Sequence, residues 1–234
     1  AGVGKSTLIK FIVAALNETA AAEAMKGATK FSDIAAKHEW ATGYINKGVS
    51  MGYINGMENN TFQPDGNVTY AQVIKMMLCA MGYEDYAASL AEQYNYTGAN
   101  WYVPFVQLAA DAGVTEGVYA NPNDAVTRAQ VAQLVYNAIK APIVKNVGIS
   151  YTDSGKIVPK IQIQDGSENV YFKSILTEKF DAYYVEGYVL DTYKTDSTNL
   201  EADEVKFGVA KSNKYDNEVV ALETPVRDIN DVTV

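Results

Sequence analysis

The sequence is poorest in the residues that make covalent and metal chemistry. Of its 234 residues one is cysteine, Cys79, and one is histidine, His38. A single thiol excludes an intrachain disulfide and a Cys-rich metal site, and a single imidazole excludes a histidine cluster. Cys79 sits in an apolar helical pattern with no basic or histidine neighbour to lower its pKa, which reads as a small buried hydrophobe and not as a reactive thiol. Positive charge is scarce too: 19 lysines and arginines face 28 acids, a net of -9. Nucleic acid and anionic lipid are therefore disfavoured as partners, because like-charge repulsion is met before any contact forms. No apolar run reaches the roughly 18 residues of a membrane-crossing helix, so no transmembrane segment is expected. Residues 8–16, LIKFIVAAL, have the look of a short signal-peptide core, but a lysine interrupts them and no cleavage signature follows. Ala1 starts inside a structural unit, so the chain reads as a fragment or processed product whose export signal is out of view. No Cys/His dyad, nucleophile elbow or defined pair of carboxylates is present, so the chain is not expected to be an enzyme.

What is present is a folded composition, 48% hydrophobic and 20% charged, long enough for two domains. It also repeats itself. Trp40 precedes Gly52 and Gly56 at the same intervals by which Trp101 precedes Gly113 and Gly117. Each glycine pair leads to a polar turn, PDGN at 64–67 and NPND at 121–124, and then to VTYAQ at 68–72 and VTRAQ at 126–130. Thr69 with Gln72, and Thr127 with Gln130, fit the reciprocal capping box of a helix N-terminus. Downstream, Val73, Met76, Met77, Ala80 and Met81 share their spacing with Val131, Leu134, Val135, Ala138 and Ile139, the stripe of an amphipathic helix. Placing Val3 on Val68 and Val126 adds Leu8, Phe11, Ile12, Ala15 and Leu16 as a third copy. Three equivalent helices are predicted.

The opening AGVGKST, residues 1–7, offers a remote alternative, a P-loop nucleotide binder with Lys5 on phosphate and Ser6 on magnesium. The full pattern needs an earlier glycine and a feeding strand, which the sequence lacks; in the repeat, Lys5 simply takes the place of Arg128.

The motifs FSDI at 31–34, HEWA at 38–41, YI at 44–45, GYING at 52–56 and FQPDGNVTYAQ at 62–72 resemble the S-layer homology family of cell-surface proteins from Gram-positive-type, clostridial-like bacteria. Residues 1–30 then give the end of a first repeat, 31–83 a second and 84–140 a third, the last keeping Trp101, GVTEG and TRAQ without an F-x-D start. The resemblance implies a pseudo-three-fold helical domain over 1–140, its long helices in a central bundle with lobes around them; with the small antiparallel β-domain read from the alternation that follows, the expected fold class is α+β in two domains. Members attach exported proteins non-covalently to secondary cell wall polymer, an anionic and often pyruvylated glycan, in grooves between lobes. Carried onto this sequence, the polymer-binding set is Arg128, Lys5, Thr127, Trp40, Trp101, Asp33, Gly52 and Gly113. A guanidinium at a helix N-terminus suits a carboxylate. This chain departs from the pattern, with Lys5 and Tyr70 at two of the three arginine positions, so at most two grooves suit an anion. Each residue also has a plainer role. Lys5 and Arg128 are solvated first-turn cations, the tryptophans are buried anchors under the lobes, and Asp33 is a cap or turn residue.

Beyond Pro142 the period changes to alternation. KIQIQ at 160–164, NVYFKSIL at 169–176, AYYVEGYVLDTYK at 182–194, EVKFGVA at 204–210 and EVVAL at 218–222 read as strands of a barrel or sandwich over 151–234, entered through a linker at 141–150. Residues 141–234 carry 10 basic and 16 acidic residues, 10 − 16 = −6, which opposes nucleic-acid use of an OB-like barrel. Tyr183, Tyr184, Tyr188 and Tyr193 serve cross-strand pairing, with sugar stacking as the alternative. No cofactor is implied; calcium at the Asp-rich turns stays open, although no complete ligand loop is present. The sequence thus predicts an extracellular anchor in the cell wall or S-layer. Two alternatives remain: degenerate repeats that bind one another or other surface-layer subunits, and an anchor for an exported enzyme lying outside the fragment.

Overall fold

The computed structural model describes residues 2–166, 172–182, 184, 187–192, 194–202, 204–213 and 216–221. Eight α-helices and five strands follow one another among them, an α+β mixture. The chain divides into two compact units, Ala1–Gln164 with Ser174–Ala182, and Asp165–Lys173 with Tyr183–Val234.

The first unit is organised by the three repeated helices, α1 (Lys5–Ala15), α4 (Tyr70–Ala80) and α7 (Arg128–Lys140). The two predicted capping boxes are both formed: Gln72 and Gln130 amides donate to the threonine hydroxyls, and the glutamine side chains accept from Thr69 and Thr127 amides. α1 has Gly4 at its N-cap and no side-chain cap. The helix starts are tied in a closed ring. Val68 N donates to Val3 O at 2.9 Å, Val3 N to Val126 O at 3.0 Å, and Val126 N to Val68 O at 3.0 Å. Three valines therefore satisfy one another's backbones where the helices converge, and α1, α4 and α7 touch pairwise below it. Leu8 and Ile12 of α1 with the following Leu16, Val73 and Met77 of α4 with the following Met81, and Val131, Leu134 and Ala138 of α7 fill the shared core. Burying each such large aliphatic chain contributes about 1.5–3 kcal/mol.

The segments between these helices build two lobes. After α2 (Thr19–Ala24), a 3₁₀ turn at Ala36–Ala41 leads into α3 (Thr42–Ser50). Ile45, Tyr44, Phe31, Ile54 and Phe62 close over the outer face of α1, against Ile9 and Val13. α2 crosses α3 at Gly43, where a Cβ would collide with the Ala22 carbonyl. In the second lobe α5 (Glu84–Gln93) and α6 (Val103–Asp111) bring Phe105, Leu108 and Ala109 into the main core. Gly52 and Gly113 both turn the chain at positive φ, 77° and 76°, after α3 and α6, a conformation that side-chain-bearing residues rarely adopt.

The expected linker is in part a strand. β1 (Val144–Tyr151) pairs antiparallel with β2 (Ile157–Ile163), and Val144 N donates to Met81 O at 3.0 Å, so the hairpin belongs to the helical unit. The predicted strand at 169–176 is also corrected in part. Phe172 makes only an isolated bridge with Asp165, and Ile175–Phe180 is helix α8, started by a capping box at Ser174; residues 169–171 lie outside the described residues. Ile175 is buried against the end of the bundle, which outweighs the strand propensity of its apolar neighbourhood.

The second unit holds an antiparallel meander, β3 (Gly187–Thr192), β4 (Val205–Asn213) and β5 (Asp216–Ala221), in the order β3-β4-β5. It overlaps the strands predicted at 182–194, 204–210 and 218–222, while Ala182, Tyr184, Lys194 and Glu204 are described and lie outside it. Among the described residues the sheets are open, and neither a barrel nor a sandwich is closed. Tyr184 and Tyr188 are exposed; Tyr183 and Tyr193 lie outside the described residues.

Candidate functional site

The turn at 64–67 fixes the start of α1. Lys5 N donates to Gly66 O at 3.1 Å and Ser6 N to Pro64 O at 3.2 Å. The Lys5 and Ser6 amides, which a P-loop would turn toward phosphate, are therefore spent on protein carbonyls, a geometry that speaks against the nucleotide-binding alternative. α4 repeats the arrangement: Tyr70 N donates to Asp124 O and Ala71 N to Pro122 O, each at 2.9 Å.

Asp33 lies in a turn, as expected, and its side chain also reaches beyond that turn. Its carboxylate accepts from Phe62 N at 2.8 Å and Gln63 N at 2.7 Å, joining segments far apart in sequence. Burial raises its pKa, but those amides, its own backbone and the Lys5 charge outweigh burial and hold it below its ordinary value. Lys5 is pulled down by burial, with Asp33 opposing, and its Nζ donates to Gln63 Oε1 at 3.3 Å.

A cavity of about 300 Å³ opens beside Lys5. One wall is the 52–57 segment with Phe62; another is the face of α4 carrying Gln72, Lys75, Met76 and Cys79; Glu84 and Trp101 complete it. The four α4 residues recur at the spacing that stacks side chains on one helix face. Lys75 Nζ lies 5.7 Å from the Trp101 ring centre and 5.5 Å from that of Phe105, within cation–π reach. Burial pushes the Cys79 thiol up to about 11, helped by Glu84 and opposed by Lys75, so it is a protonated wall atom at neutral pH. Two ammonium groups, two side-chain amides (Asn55 and Gln72) and an aromatic face against the single lining carboxylate of Glu84 suit an anionic ligand with an apolar side.

Of the predicted polymer-binding residues, the cavity collects Lys5, Gly52 and Trp101, with Asp33 adjoining through Lys5. The others lie elsewhere. Thr127 caps α7, its hydroxyl held by Gln130. Gly113 turns the corresponding loop of the second lobe. Arg128 is exposed at the start of α7. Trp40 is 41% exposed and is not a buried anchor; Lys10 Nζ sits 5.7 Å from its ring and 5.6 Å from that of Tyr44. Trp101 is half-buried. Sequence reasoning missed Gln72, Lys75 and Glu84; the spacing 72, 75, 76, 79 was the available signal. Tyr70, where the other repeats have a cation, is buried. Among the described residues no group of three or more His, Cys, Asp or Glu is placed to hold a metal ion, and no helix is long and apolar enough to cross a membrane.

Comparison with known proteins adds a family. The family model of the S-layer homology domain matches residues 30–74 and 97–132. The chain is 26% identical over 188 residues to a cell surface protein of Thermoanaerobacter kivui, covering 80% of this chain and 22% of that protein. It is 26% identical over 200 residues to an S-layer protein of Bacillus thuringiensis subsp. finitimus, covering 83% and 22%. Exoglucanase XynX of Acetivibrio thermocellus matches at 27% over 151 residues, 62% of this chain and 13% of the enzyme. The chain thus spans less than a quarter of each of these relatives.

Proposed function

From the premise that this chain carries S-layer homology repeats and is a cell-surface protein, we propose that its helical unit anchors the protein non-covalently to secondary cell wall polymer. The observation that carries this is the meeting of Lys5, Lys75 and Trp101 in one cavity. A carboxylate-bearing sugar needs what they supply together: charge-assisted hydrogen bonds for the anion and an aromatic face for the apolar side of the ring. The hydrogen-bond ring of the helix starts extends the reading to Arg128. Arg128 stands to α1 as Lys5 stands to α4, and Lys10 with Trp40 on that side repeats the pairing of Lys75 with Trp101. Two grooves therefore serve an anionic glycan, built on Lys5 and on Arg128, in a pseudo-three-fold arrangement. The third position, Tyr70, brings no charge. The enzyme among the matched relatives is consistent with an anchoring module shared by proteins of different activity, since this chain covers only 13% of it.

The test is co-sedimentation of the purified chain with cell walls that retain their secondary polymer. Lys5→Gln, Lys75→Gln and Arg128→Ala are each expected to keep the fold and to weaken retention by about tenfold or more, the effect of losing one charge-assisted hydrogen bond. Unchanged retention in all three variants overturns the proposal.

A further inference from the structure

The groove at the uncharged position has a chemistry of its own. It is shallow, about 590 Å³, and is lined by Tyr70, Val106, Thr115, Val118, Tyr119, Ala120, Asn121 and Asp124. No lysine or arginine is among these residues. Tyr119 is 90% exposed, although it sits beside an apolar floor that buries Val118 to 5%. Tyr70 closes the bottom and is itself buried; its hydroxyl donates to Val118 O at 3.5 Å. The polar rim is preformed: the Asp124 carboxylate is held by Asn121, whose backbone and side-chain amides donate to Oδ2 at 3.3 and 2.8 Å.

We infer that this groove binds an uncharged saccharide, stacked on Tyr119 and hydrogen-bonded through Thr115, Asn121 and Asp124. A solvent-facing aromatic ring leaves apolar area uncovered, and the C–H face of a pyranose covers it while keeping the sugar hydroxyls at its edge for the rim. Asp124 accepts from hydroxyls or acetamido N–H groups and repels carboxylates, since no cation in the groove offsets it. The same fold position thus selects an anion where it carries Lys5 and a neutral sugar where it carries Tyr70. The inference does not rest on polymer binding at Lys5, because the two grooves share none of their lining residues.

The test is a titration of the full chain with tetra-N-acetylchitotetraose, a neutral probe, followed by amide and aromatic NMR shifts, with trigalacturonic acid as the anionic control. The neutral oligomer is expected to bind saturably, with shifts centred on 115–124. Tyr119→Ala weakens it by at least about tenfold, Tyr119→Phe retains it, and Lys5→Gln leaves it unchanged. Absence of saturation, indifference to Tyr119→Ala, or equal shifts with trigalacturonic acid at these residues overturns the inference. Loss of wall retention in Lys5→Gln with chitotetraose binding intact, or the reverse, separates the two readings.

Discussion

Asp33→Ala removes a side chain that links the 31–34 motif to the approach to the 64–67 turn and lies in the field of Lys5. Two backbone amides lose their acceptor, Phe62 N at 2.8 Å and Gln63 N at 2.7 Å. Hydrogen bonds to a charged group each contribute about 1.5–3 kcal/mol. The Gln63 amide is exposed enough for water to replace the carboxylate, whereas the Phe62 amide, beside a buried ring, is partly shielded. Counting the second bond in full and discounting the first gives a loss of about 2 kcal/mol, or a fall in Tm of about 4–8 °C for a unit of this size. The pH dependence has a definite sign. The folded-state pKa of Asp33 lies below its ordinary 3.8, so its contribution is complete above that value and is lost as pH falls through the lower folded-state one. Scanning calorimetry of both proteins at neutral pH and near pH 2.5 therefore shows a gap that narrows on acidification. Equal midpoints at neutral pH, or a gap unchanged on acidification, refute the role given to this carboxylate.

Other perturbations have equally direct outcomes. Thr69→Ala removes a formed capping box and is expected to cost about 1 kcal/mol in a urea melt, with the Thr69→Asn variant close to wild type. Gly43→Ala drives a methyl into the Ala22 carbonyl of a crossing helix, so a loss of at least about 1–3 kcal/mol is expected; a neutral result rejects the close approach of α2 and α3. With its thiol pKa raised to about 11, Cys79 reacts with iodoacetamide at pH 8 far more slowly in the native chain than in urea, and equal rates contradict its burial.

The sequence was most legible where structure is set locally. Helical spacing and two threonine capping boxes located α4 and α7, and the alignment on Val3 located α1, because hydrogen bonds within a few residues decide helix starts. Alternation located β2 through β5 to within about five residues, because successive strand side chains point to opposite faces of a sheet. The hairpin strand at 144–151 and the helix at 175–180 were not legible, since both depend on packing against the bundle: Val144 pairs with Met81, and Ile175 fills the end of the core. The capping box at Ser174 was the local clue to α8, outweighed by its apolar neighbourhood. The site shows the same division. Lys5, Gly52 and Trp101 stood out as repeat positions, whereas Lys75 lies on the polar flank of its helix and acquires meaning only when Trp101 arrives from another lobe. Trp40 was misjudged because tryptophan is usually buried, and the structure instead leaves its ring 41% exposed with Lys10 beside it.

The most direct measurement of the anchoring claim compares retention of the chain by one preparation of cell walls before and after acid extraction of their secondary polymer. The account predicts that the chain pellets with intact walls, that added salt weakens this retention, and that extraction abolishes it. Undiminished pelleting with stripped walls contradicts it and assigns the repeats to contacts with other surface components.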